Sequence, residues 1–147
     1  MKTQLALAAL LALVGVQSIR ADLKRAMAET NLEKRSKLAI ENAKAAYQAA
    51  REAYQKGDLE QVKTFATEIE ESVDLAYQSL QQTGKNPRSS PRYFKSAEQE
   101  TSQLTRRIEG LQEEMSYTER PMLDKTKARV QQVHDDLLLG LMEGRKK

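Results

Sequence analysis

Seven apolar residues, Leu59, Val62, Ala66, Ile69, Val73, Ala76 and Leu80, alternate at spacings of three and four without a miss. That period keeps them on one face of an α-helix, whereas a strand would need a period of two. One apolar stripe cannot be hidden from water alone, so the rest of the chain must supply matching faces. Three further stripes do so. Ile40, Ala43, Tyr47, Ala50 and Tyr54 precede it, widened by Ala39, Ala46 and Ala53. Phe94, Ala97, Thr101, Leu104, Ile108, Leu111 and Met115 follow, and then Leu123, Thr126, Val130, Val133, Leu137 and Leu141. The many alanines of the first stripe let a neighbouring helix approach closely.

Punctuation places the helix ends. Thr30 with Glu33, and Asp58 with Gln61, are capping-box patterns, while Gly57 and Gly84 are suited to closing helices in a left-handed conformation. Ser90-Pro91 reads as an N-cap followed by proline at the first helical position, and Pro121 opens a last helix. Gly144 ends it, ahead of the cations Arg145, Lys146 and Lys147. The expected helices are 31–56, 59–83, 91–117 and 121–143, with residues 22–29 either extending the first or leading into it. Three prolines and six glycines among 147 residues argue against a turn-rich β fold. The expectation is an all-α chain with a single domain over 22–147. It would be an antiparallel up-down four-helix bundle, or alternatively two long helical hairpins.

The N-terminus reads differently. Lys2 precedes an uncharged run of twelve, Leu5 to Val16, and small residues then stand at cleavage positions. This is the pattern of a secretory signal peptide over 1–21, cut after Ser18 or Ala21. A spanning helix needs ~20 apolar residues, and Gln17, Ser18 and Arg20 interrupt this run, so no transmembrane anchor is expected after cleavage. The expected location is secreted or periplasmic, in a bacterial envelope. A cut after Ala21 takes Lys2 and Arg20 away from 24 basic residues and leaves 22 against 21 acidic, so general attraction to nucleic acid is not supported, and sequence-specific reading of it is out of place. The chain has no cysteine, so in an oxidising compartment helix packing alone holds the fold.

Charge is unevenly distributed. Residues 31–56 carry Lys34, Arg35, Lys37, Lys44, Arg51 and Lys56 against Glu33, Glu41 and Glu52, a net of +3. Residues 58–83 carry Asp58, Glu60, Glu68, Glu70, Glu71 and Asp74 against Lys63 alone, a net of −5. Opposite signs on adjacent antiparallel helices are expected to select partner and register.

Catalytic chemistry has little to work with. His134 is the single histidine, and no nucleophile elbow or phosphate-cradling glycine loop is present, so no enzyme is expected. A di-iron bundle would need Glu-x-x-His pairs, but Gln131 stands three residues before His134. Glu68, Glu70, Glu71 and Asp74 flank the Ile69–Val73 stripe as a solvated acidic face, and neither a metal nor any other cofactor is expected. Ala21-Asp22-Leu23 with Met27, behind an export signal, resembles the start of the exported b-type cytochromes of four-helix-bundle fold. That resemblance implies Met27 and His134 as haem ligands. In the family the histidine lies close to the chain end, whereas His134 is 13 residues before Lys147, and the two meet only if the first helix begins near Asp22. Tyr54, Gly57, Asp58 and Leu59, with Phe65 beyond, resemble the turn of a tetratricopeptide hairpin, although no 34-residue period recurs.

The segment Lys85 to Lys95 holds Lys85, Arg88, Arg92 and Lys95, no acidic residue, and the pair Tyr93-Phe94. With Arg106 and Arg107 further on, it is a candidate basic patch at one bundle end, suited to phosphates, anionic lipid or an acidic polymer. The plainer alternative is a solvated loop from which Phe94 joins the core. The expected function is that of an exported, non-enzymatic helical bundle acting through protein–protein contacts, or as an envelope binding or scaffold module. A haem- or metal-carrying bundle and a repeat-like adaptor are the alternatives. The partner would be another protein or an anionic envelope surface, and pairing of stripes between chains leaves a homo-oligomer open.

Overall fold

The computed structural model describes residues 22–144. The signal-peptide reading of 1–21, with its cleavage points after Ser18 or Ala21, and the cations Arg145, Lys146 and Lys147 lie outside the described residues. Among the described residues the chain is helical throughout, with no strand. Residues 22–28 form α1. It is followed by α2 (Leu32–Gln55), α3 (Leu59–Gln82), α4 (Arg92–Glu114), a 3-10 turn (Arg120–Leu123) and α5 (Asp124–Glu143).

The stripes are the core. From Val62 through Leu80 every stripe residue of α3 is buried, as is every one on α4 from Phe94 to Met115. Tyr54 and Leu141, at the ends of their stripes, are only partly buried. Among the described residues seven buried polar ones lie outside the expected stripes: Ser36, Asn42, Glu68, Ser72, Ser79, Thr105 and Gln112. The Asn42 side-chain amide donates to Ser72 Oγ at 2.8 Å, a polar lock between α2 and α3.

Two hairpins build the fold. The turn between α2 and α3 ends α2 with Gly57 at φ 74°. The N–H of Asp58 donates to the carbonyl of Ala53 at 2.9 Å and that of Gly57 to Tyr54 at 2.9 Å, which satisfies the last carbonyls of α2. The carboxylate of Asp58 then accepts from the N–H of Gln61 at 3.1 Å, starting α3 as expected. The start of α2 differs from expectation by one residue. Asn31, not Thr30, is the N-cap, accepting from the Lys34 N–H at 2.9 Å, while the Glu29 carboxylate accepts from the N–H of Asn31 at 3.1 Å. Glu33 turns away to pair with Lys85. The break at this cap makes residues 22–28 a separate helix, with Leu23 and Ala26 buried.

The second hairpin also departs from the expected boundaries. α4 stops at Glu114 because Met115 is extended, with ψ 151°. The chain turns through the 3-10 segment before α5 begins at Asp124, three residues later than the proline suggested. The Gln112 amide holds this turn, donating to the Arg120 carbonyl at 2.9 Å and to Asp124 Oδ1 at 2.8 Å.

The two hairpins lie side by side in a way the stripes do not specify. Lys44 meets Glu100 and Arg51 meets Glu114, at 3.1 and 3.3 Å, so residue numbers rise together and α2 runs parallel to α4. Glu70 meets Lys125 at 3.6 Å and Asp74 meets Arg129, so α3 runs parallel to α5. The consecutive helices α3 and α4 touch only sparsely, and the link between them crosses the bundle end. Charge pairing follows this layout. Among the described residues the lysine and arginine ion pairs between long helices join α2 to α4 and α3 to α5, one hairpin to the other, instead of α2 to α3 as expected. The cause is the alanine seam. Ala39, Ala43, Ala46, Ala50 and Ala53 are buried, small side chains allow α2 and α3 to approach closely, and the long charged side chains are left on flanks that face the second hairpin.

Candidate functional site

The link after α3 is a shaped segment. Gly84, at φ 68°, ends the helix as expected. Thr83 Oγ1 accepts from the Lys85 N–H at 3.2 Å, Asn86 Oδ1 from the Arg88 N–H at 2.9 Å, and the Asn86 carbonyl from the Ser90 N–H at 2.9 Å. Pro87 is buried against α5, where a Cβ on Gly140 would come within 3.3 Å of its ring. Arg88 passes beside Gly144 and Lys85 reaches back to Glu33 of α2. Phe94 enters the core, whereas Tyr93 stays half-buried with the Arg92 guanidinium 5.3 Å from its ring centre. Lys85, Arg88, Arg92 and Lys95 therefore share one end of the bundle and are exposed. Arg106 and Arg107 do not join them. Fourteen residues beyond Arg92 on a straight helix is about 20 Å at 1.5 Å per residue, and the carbonyl of Arg107 instead accepts from the Tyr47 hydroxyl at 2.9 Å. Burial pushes the Tyr47 hydroxyl above the usual tyrosine pKa.

Parallel packing of α2 and α4 creates a cleft that no motif announced. Toward the far end the seam is closed by Tyr47, by the Arg51–Glu114 pair and by Tyr54, whose hydroxyl accepts from the Ser116 N–H at 3.1 Å. Nearer the link the seam opens into a cavity of about 210 Å³ between residues 36–44 and 92–100. Ile40 and Ala97, both buried, make its floor and Tyr93 a wall. Lys37, Glu41 and Arg92 stand on the rim, and the Lys44–Glu100 pair closes the inner end. Both helices start here, so both positive dipole ends face this side. One signal of it was readable in sequence: the first turn of α4 carries Arg92 and Lys95 and no acidic residue.

The two haem-ligand candidates are not brought together. Met27, 58% exposed on α1, borders a groove with Thr64, Thr67, Glu68 and Glu71 of α3. His134 lies on α5 against α4, its Nε2 2.8 Å from Glu98 Oε1 and its Nδ1 3.0 Å from Asp135 Oδ1. The ring is thus committed to tying α5 to α4. The hydrogen bond from His134, helped by one from Gln131, holds the Asp135 carboxyl below the usual aspartate range.

The acidic residues of α3 are less uniform than a solvated face. Glu68 is buried and Glu70 is largely covered, its carboxylate accepting from the Thr126 hydroxyl at 3.2 Å while also facing Lys125. The 3-4 period places these positions beside the stripe, and the parallel α5 covers part of them. Among the described residues no three His, Asp or Glu side chains are grouped to hold a metal ion, and no helix is long and apolar enough to cross a membrane. The chain matches no protein-family model and no curated protein sequence.

Proposed function

We propose that this chain is an exported, non-enzymatic four-helix bundle that binds an acidic face of another protein through the bundle end carrying Lys85, Arg88, Arg92 and Lys95. The observation that carries this reading is the order of the link. A segment with four cations and no acid is normally left mobile in solvent, yet here Pro87, Asn86 and Thr83 hold it across the bundle end. Cations held in place lose less side-chain and backbone entropy on meeting an anionic surface, which favours binding. The non-enzymatic part is supported by His134, whose ring nitrogens both face carboxylates with no serine or threonine hydroxyl among their hydrogen-bond partners.

The test is affinity capture from an envelope extract with the intact chain and with Arg88→Glu/Arg92→Glu. The expected result is a partner retained at low salt, released as salt rises, and lost in the double variant. An unchanged set of partners overturns the reading. For the export part, the mature N-terminus found by mass spectrometry should be Ile19 or Asp22.

A further inference from the structure

We propose that the cleft between α2 and α4 binds a small organic monoanion, a carboxylate carried on a compact apolar body. The inference goes beyond the protein-partner reading; the cleft shares Arg92 with that patch and otherwise rests on its own lining, Ser36, Lys37, Ile40, Tyr93 and Ala97. Three observations point to an anion. α4 begins without a side-chain cap and without an acid in its first turn, and carries Arg92 and Lys95 there. Helix N-termini ordinarily favour negative groups, so cations in this turn are locally unfavourable unless an anion joins them. Ser36, 3% exposed, lines the cleft, and its hydroxyl has no hydrogen-bond partner among the described residues. Such a group is well placed to donate to a carboxylate oxygen.

The charge count sets the valence. Lys44 and Glu100 neutralise each other at 3.1 Å, leaving Lys37 and Arg92 against Glu41. One positive charge remains, which suits a monocarboxylate better than a phosphate dianion. The lining sets the rest of the ligand. Ile40, Ala97 and the Tyr93 ring offer apolar contact, and about 210 Å³ is below the ~300–1,000 Å³ usual for drug-sized ligands, so the apolar body is about one ring or a short acyl chain.

Titration of the full-length chain with phenylacetate, followed by ¹H–¹⁵N NMR, tests this. Saturating shifts should be confined to residues 36–44 and 92–100, with the neutral phenylacetamide and inorganic phosphate both binding more weakly. Arg92→Gln and Lys37→Glu, on the exposed rim, should each weaken binding about tenfold or more, as loss of one charge-assisted contact does. Ala97→Leu should fill the floor and abolish binding while the circular dichroism spectrum is retained; should it unfold, the two rim variants decide. Arg88→Glu should leave the titration unchanged, which separates this site from the protein-binding link. No saturating shift by about 10 mM, shifts elsewhere in the bundle, or equal binding of phenylacetamide overturns the proposal.

Discussion

The buried Asn42–Ser72 pair should control how uniquely α2 and α3 pair more than how stably they do so. Both residues are almost wholly buried, at 3% and 0% exposure, and the Asn42 amide donates to Ser72 Oγ at 2.8 Å. The other half of that amide, Oδ1, is buried with no hydrogen-bond partner among the described residues. Ser72→Ala removes the acceptor and leaves the Asn42 N–H unpaired in the core, which should destabilise by about 1–3 kcal/mol. With a urea m-value of about 1–3 kcal/mol per molar, the midpoint falls by about 1 M. Asn42→Leu/Ser72→Ala removes donor, acceptor and the orphaned carbonyl together and fills the space with an apolar side chain. It should recover the loss to within about 1 kcal/mol of the parent, or exceed it. Uniqueness should suffer instead. The alanine seam offers similar contacts at neighbouring registers, and the polar pair adds to the Gly57-Asp58 turn in distinguishing them, as a buried asparagine does in coiled coils. Urea unfolding followed by circular dichroism gives the energies, and NMR line broadening across α2 and α3 reports exchange between registers. A Ser72→Ala loss under about 0.5 kcal/mol, or a double variant less stable than Ser72→Ala, would refute this account of the pair.

Three further outcomes are expected. Gly57→Ala places a side chain at φ 74°, where no neighbouring atom lies within 4 Å of the new Cβ, so the penalty is conformational, about 1–2 kcal/mol in thermal unfolding. Gly140→Leu should displace Pro87 and release the link, read as faster tryptic cleavage after Arg88 with helicity unchanged. Acid should weaken the fold through Glu29 and Asp135. A hydrogen bond from the Asn31 N–H, then one from Lys34, lowers the Glu29 pKa, and His134 lowers that of Asp135. A lowered folded-state pKa means stability fully present above the ordinary carboxylate range and lost as pH falls through that range to the folded values beneath it. Glu29→Gln/Asp135→Asn should make that acid limb shallower in unfolding curves measured between neutral and acid pH.

The helices were legible because their signals are local. A stripe such as Phe94 to Met115 states its own burial, since apolar residues at helical period must face inward whatever they face. Asp58 and Gly57 act within five residues of themselves and were equally readable. The Thr30 cap failed on a choice between adjacent residues, decided by Glu29 reaching the Asn31 N–H and by Glu33 finding Lys85, a partner distant in sequence. The α4 and α5 boundaries failed for a similar reason: Gln112 bonds to Arg120 and Asp124 once the turn has formed. For the candidate site, the cations of the link were visible as a run. That Arg106 and Arg107 stand apart from them follows from helix rise, once α4 is known to be unbroken.

Sequence alone determined that the chain is helical, roughly where its long helices lie, and which apolar stripe each one turns inward, because period and capping act over a few residues. The arrangement of the hairpins was decided only in three dimensions. Four similar stripes are compatible with several orders around a bundle, and the choice rests on contacts between residues far apart in the chain. Lys44 with Glu100 and Asp74 with Arg129 record that choice, since they pair α2 with α4 and α3 with α5 in parallel. The same packing sets two helix starts side by side and opens the cleft lined by Ser36, Lys37, Arg92 and Tyr93, which belongs to neither helix until both are in place.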